Sequence, residues 1–182
     1  MASLFEYVAV ARFATREEFQ QKHAAPFLLV NIEGRSETRD RSFKTSTITG
    51  TTAALAKAMA TGAVKLSAQV GRFEVLAVVK GKDSPWAGRV SLGRARNNDI
   101  VIDDNSVSKM HAHFTQEGAA FSLTDAQSHN GVTINGTKLG AGEKQLLKSG
   151  DALVLGAVPA TYLDAGSLYD FIKKDVLQEV AK

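Results

Sequence analysis

A chain of 182 residues with 44% apolar content can fill one well-packed core and leave material for an extension. Its 22 basic and 19 acidic residues give a net charge of only +3, a weak field for a nucleic-acid surface, and the lack of cysteine excludes disulfides, thiolate metal sites and cysteine nucleophiles. No apolar run approaches membrane-spanning length, and "MASLFEYVAVARFATREEF" has no basic region before its apolar stretch, so we read no signal peptide and expect a cytoplasmic protein.

In chain order, Thr15 with Glu18 three positions later forms a capping-box pattern that opens a short helix, and "PFLLVNI" (26–32) reads as a strand. In "KTSTITGTT" (44–52) threonines alternate with other residues, as on an exposed strand. Arg39, Arg41 and Lys44 beside it also fit a kinase target. "TTAALAKAMATG" (51–62) is alanine-rich, with Leu55 and Met59 one helical turn apart and Gly62 placed to end a helix. From Phe73 short apolar runs alternate with turn residues: "FEVLAVVK" (73–80), "RVSL" (89–92), "DIVI" (99–102), "KMHAHF" (109–114), "AFSL" (120–123), "VTI" (132–134), "QLL" (145–147) and "ALVLG" (152–156). That spacing predicts an antiparallel β-sandwich, with Asn135-Gly136 as its strongest hairpin signal. After Ser167, the residues Leu168, Phe171, Ile172, Val176 and Val180 recur at helical spacing, which predicts an amphipathic C-terminal helix. The expected organisation is thus an N-terminal α+β extension (1–70), a sandwich (71–164) and a terminal helix (165–182).

Within the sandwich lie "LGR" (92–94), "NNDIVI" (97–102), "VSKMHA" (107–112), "LTD" (123–125), "SHNGVTING" (128–136) and "LKSGDALVLG" (147–156). In this order and spacing they resemble a forkhead-associated (FHA) domain, a β-sandwich that binds phosphothreonine peptides. The resemblance covers about half of the chain. It places Arg94 and Ser108 on the phosphate, and the chemistry suits them: a guanidinium offers a planar fork to two phosphate oxygens, and a short hydroxyl approaches closely from a neighbouring loop. By the same resemblance Lys109 offers a further polar contact, and Asn130 holds the peptide backbone through its amide. Gly93 lets the strand end turn tightly, Gly131 relieves a positive-φ turn, and His111 braces the loops from behind. Two positions depart from the family. His129 stands where Thr or Ser commonly contacts the peptide, and Val132 follows the Asn-Gly pair where Thr is usual.

Competing readings carry less. "HAH" (111–113) offers two imidazoles but no third ligand cluster, so no metal is expected. "GAGEK" (140–144) lacks the spacing and the Ser/Thr of a phosphate loop. Ser108, His111 and Asp125 form a hydrolase only on paper, without a nucleophile-elbow pattern. The sequence therefore points to a non-enzymatic module that needs no cofactor. It would dock a phosphothreonine-bearing partner, a substrate of a serine/threonine kinase or the kinase itself, with no nucleic acid or membrane involved. The alternative is an FHA-like scaffold that binds independently of phosphate.

Overall fold

The computed structural model describes residues 4–32, 64–67, 72–82, 84 and 86–179. The threonine-rich stretch at 44–52 and the alanine-rich helix expected at 51–62 lie outside these residues. The chain opens with helices α1 (Leu4–Phe13) and α2 (Arg16–Lys22). The start of α2 is capped reciprocally: Glu18 N–H donates to Thr15 Oγ1 at 3.2 Å and Thr15 N–H to Glu18 Oε2 at 2.8 Å.

Strands β1 (Phe27–Asn31), β2 (Val64–Leu66), β3 (Phe73–Ala77), β4 (Val90–Gly93), β5 (Ile100–Val101), β6 (Ala112–Glu117) and β7 (Ala120–Asp125) follow. Then come β8 (Val132–Ile134), β9 (Thr137–Lys138), β10 (Lys144–Leu146), β11 (Ala152–Leu155) and β12 (Val158–Leu163). One sheet runs β3-β1-β12-β11-β8-β9 and the other β10-β7-β6-β4-β5. Among the described strands all pairings are antiparallel except β4 with β5. Leu28, Val30, Leu92, Ile100, Phe114, Leu123, Leu153 and Leu155 belong to the buried core that the sandwich encloses. Asn135 (φ 49°) and Gly136 (φ 82°) supply the two left-handed residues that a two-residue hairpin between β8 and β9 requires.

Three features depart from the sequence reading. First, β1 sits between β3 and β12, pairing Leu28 with Leu76 on one side and with Tyr162 on the other. The division at residue 70 therefore falls between strands of one sheet. Second, β12 was not anticipated, because Pro159 lowers strand propensity. The proline is tolerated at a locally free edge: β1 pairs β12 only as far as Ala160, so Pro159 faces β11 alone. Third, the terminal helix is shorter than expected. Helix α3 (Ala165–Phe171) starts at the expected residue, where Asp164 Oδ1 accepts the Ser167 N–H at 2.7 Å and caps it, but it ends at Phe171. It loosens into a π-helical turn over Ile172–Val176, and β13 (Leu177–Glu179) then pairs with β2.

α1, α2, α3 and the π turn cover the outer face of the first sheet. Leu4, Val8, Phe19, Leu168, Ile172 and Val176 pack with Phe27, Leu29, Val75 and Leu163 in a second apolar cluster. Alternate residues of β1 thus serve two cores, which explains why its burial is continuous over Phe27–Val30. Among the described residues no helix is long and apolar enough to cross a membrane.

Candidate functional site

The loops after β4, before β6 and between β7 and β8 converge at one end of the sandwich. β4 ends at Gly93, where a Cβ would lie 2.9 Å from both the Lys109 carbonyl carbon and Asn98 Nδ2, and closer still to the Lys109 oxygen. Glycine is required here for close backbone approach. The approach is sealed by hydrogen bonds: Arg94 N–H donates to the Ser108 carbonyl at 2.9 Å, and Ala95 N–H to the Lys109 carbonyl at 3.1 Å. Asn98 Nδ2 donates to the carbonyls of Ala95 and Lys109, at 2.8 and 2.7 Å.

Arg94 is half-buried, and its Nε donates to the Val107 carbonyl at 3.3 Å. Among the described residues no carboxylate pairs with it, so both terminal nitrogens of the guanidinium remain available. The Ser108 hydroxyl oxygen accepts the His129 N–H at 3.0 Å, which leaves its own proton to donate. Asn130 Nδ2 donates to the Ser106 carbonyl at 2.8 Å, so its carbonyl oxygen remains free to accept. Ser106 is itself held: its N–H and hydroxyl donate to Asp104 Oδ1 at 2.8 and 2.6 Å, and its oxygen accepts the Ala157 N–H at 2.9 Å. The side chains of Lys109, His129 and Asn130 are exposed around this rim.

His111 ties the loops together from inside. It is fully buried; Nδ1 accepts the Ser108 N–H at 3.0 Å and Nε2 lies 3.2 Å from the Gly131 carbonyl. An N–H can only donate and a carbonyl only accept, so the partners fix the tautomer with the proton on Nε2. Burial pushes the His111 pKa below the ordinary value of 6.5, against the opposing pull of the Gly131 carbonyl and the Asp125 charge. The ring is therefore neutral near pH 7, as its accepting Nδ1 demands. Gly131 (φ 83°) turns the chain in the left-handed region so that its carbonyl meets His111.

The same geometry bears on the competing chemistries. Both His111 nitrogens are occupied, and no group of three metal-holding side chains occurs among the described residues. His111 takes the Ser108 backbone N–H rather than its hydroxyl, so no base is set against Oγ. A hydroxyl without a base is a hydrogen-bond donor rather than an activated nucleophile.

Sequence reading did not single out Ser106, Asn98 or Asp99. The Asp99 carboxylate accepts from Gly81 N–H, Ser84 Oγ, Ser91 N–H and Ser91 Oγ at 2.7–3.0 Å. Burial favours protonation of this carboxyl, but these hydrogen bonds outweigh it and hold the pKa below its usual value. Asp99 pins the loop before β4 and so fixes the strand that leads into Arg94. The spacing Asp-x-Ser at 104–106 was the available signal for the Ser106 turn. Asn98 and Asp99 lie in the motif "NNDIVI", but their roles depend on partners up to 18 residues away.

Residues 90–156 match the family model described as FHA domain. A similar stretch occurs in the glycogen accumulation regulator GarA of Mycolicibacterium smegmatis, 34% identical over 73 residues, which are 40% of this chain and 44% of that protein. Another occurs in an ABC transporter ATP-binding/permease protein of Mycobacterium tuberculosis, 34% identical over 77 residues, 42% of this chain and 9% of the relative. A probable serine/threonine-protein kinase, fhkA, of Dictyostelium discoideum is 35% identical over 75 residues, 37% of this chain and 13% of the kinase. The chain thus spans less than half the length of these relatives. Among solved structures, the FHA domain of a Chlamydia trachomatis protein superposes with a TM-score of 0.44 and 23% identity over 56% of this chain and 94% of that one. The family match falls on β4 to β11, the strands whose connecting loops carry Arg94, Ser108, His111 and Asn130, and the chain therefore contains an FHA domain over residues 90–156.

Proposed function

We propose that this FHA domain binds phosphothreonine peptides and docks a phosphorylated partner in a serine/threonine kinase pathway, without enzymatic activity of its own. The observation that carries the reading is the state of Arg94. Its Nε is fixed on the Val107 carbonyl while its two terminal nitrogens face no protein acid among the described residues. A half-buried cation held in place without a counter-ion fits an anionic ligand better than a structural role. The Ser108 hydroxyl proton would meet a second phosphate oxygen, and the Asn130 carbonyl a peptide N–H. Lys109 and His129 would line the rim. His111, Gly93 and Gly131 would position these groups without touching the ligand.

The relatives support the setting, since one carries the name of a serine/threonine kinase and another that of a regulator. The partner would be such a kinase or one of its substrates. The test is a library of phosphothreonine peptides screened before and after phosphatase treatment. Binding that disappears with the phosphate supports the reading, and equal capture of treated and untreated peptides overturns it in favour of a phosphate-independent scaffold.

A further inference from the structure

Lys138 lies on β9, outside every motif discussed above, yet its side chain reaches the loop that carries Asn130. A Cβ built on Gly131 would lie 2.5 Å from Lys138 Cε and 3.2 Å from its Nζ. The lysine stem therefore fills the space that a side chain at residue 131 would take. Gly131 then serves two ends, a left-handed turn at φ 83° and room for this stem. Packing along the stem restrains an otherwise freely rotating ammonium, which reduces the entropy lost when it meets a ligand.

Among the described residues the ammonium has no counter-ion. Of these residues, Glu143 and Asp151 are the acids that line the same surface depression as Lys138. Glu143 accepts the Gly140 N–H, and Asp151 accepts from Asn135 Nδ2 and from the Lys148 N–H. Neither carboxylate is within 4 Å of Lys138, whose charge is left facing outward beside the peptide-holding loop.

We propose that Lys138 determines specificity by selecting an acidic residue of the ligand close to the phosphothreonine. This rests on the phosphothreonine reading above. A peptide whose phosphate sits at Arg94 and Ser108, and whose backbone meets Asn130, runs past Gly131 and hence past Lys138. Gly131 directly follows Asn130, so the carboxylate that Lys138 selects lies within about three residues of the phosphothreonine, a reach of ~10 Å at ~3.3 Å per extended residue.

The experiment uses one phosphothreonine peptide with alanine flanks and a set in which a single Glu is walked from three residues before the phosphothreonine to three after it. Affinities are measured for the whole chain, at low and at high salt. Wild type should prefer Glu over Ala at one position by about two- to five-fold at low salt, and less at high salt, as a partly exposed ion pair does. Lys138→Gln should erase that preference and leave the all-alanine phosphopeptide unaffected, and Lys138→Arg should keep it. Lys138→Glu should prefer Lys at the same position. No Glu preference at any position, or a preference that survives in Lys138→Gln, overturns the assignment. If the wild type binds none of the phosphopeptides, the phosphothreonine reading itself has failed and this assignment falls with it.

Discussion

Replacing Arg94 by alanine separates a ligand-binding arginine from a structural one. Among the described residues the side chain makes a single hydrogen bond, Nε to the Val107 carbonyl at 3.3 Å, and the backbone bond from Arg94 N–H to Ser108 survives the change. Losing one such bond costs about 1 kcal/mol, which for a chain of this size lowers Tm by about 2–4 °C. The two terminal nitrogens can each make a charge-assisted bond to phosphate, worth about 1.5–3 kcal/mol apiece. Their joint loss of about 3–6 kcal/mol corresponds to roughly a hundred-fold to ten-thousand-fold in affinity. Titration calorimetry with matched threonine and phosphothreonine peptides reads the effect directly: phosphorylation should raise affinity strongly in wild type and hardly at all in Arg94→Ala. A variant that keeps the gain from phosphorylation would refute the assignment. So would a loss of binding that comes with a collapse in Tm, since Arg94 would then be holding the fold.

Three further outcomes follow from the same loops. Asn130→Ala should weaken phosphopeptides by about five-fold, the value of one neutral hydrogen bond near 1 kcal/mol, whatever their flanking sequence, while the gain from phosphorylation persists; if that gain vanishes in a peptide titration, Asn130 acts on the phosphate instead. Burial holds His111 below 6.5, and also His23 and His113, so the unfolded chain takes up protons first as pH falls. Stability should accordingly be full above that value and decline below it, with phosphopeptide affinity falling as Ser108 N–H loses its acceptor; urea midpoints at pH 7.5 and 5.5 (about one unit either side of the ordinary value) that agree or rise in acid would contradict this. Gly93→Ala should lower the urea midpoint by the equivalent of about 1–3 kcal/mol, because the added methyl meets backbone at Lys109 that cannot rotate away. An unchanged midpoint would show that the two loops are not held as closely as described.

Much of the sandwich was legible because its signals are local. Apolar runs bounded by turn residues mark strands wherever a sheet has one buried face, and Asn135-Gly136 names its own hairpin through the left-handed φ that both residues accept. The capping box at Thr15 and Glu18 spans four residues and needs no tertiary partner. Arg94, Ser108, His111 and Asn130 are singled out by the order and spacing of motifs; no single residue declares itself.

What escaped was decided by contacts between distant parts of the chain. β12 looked weak locally because of Pro159, but a strand paired on both sides along most of its length does not depend on its own propensity. Nothing in Phe27–Asn31 says that it must lie between β3 and β12, since only the packing of two apolar faces, one on the sandwich core and one on the helices, selects that place. The C-terminal segment could have continued as a helix; pairing with Val64–Leu66 turned Leu177–Glu179 into a strand. The site divides the same way. Residue types and order are written in the chain, whereas the free terminal nitrogens of Arg94, the His111 tautomer and the seat of Lys138 on Gly131 exist only once three loops meet. Hydrogen-bond partners and excluded volume are properties of that meeting, not of any one segment.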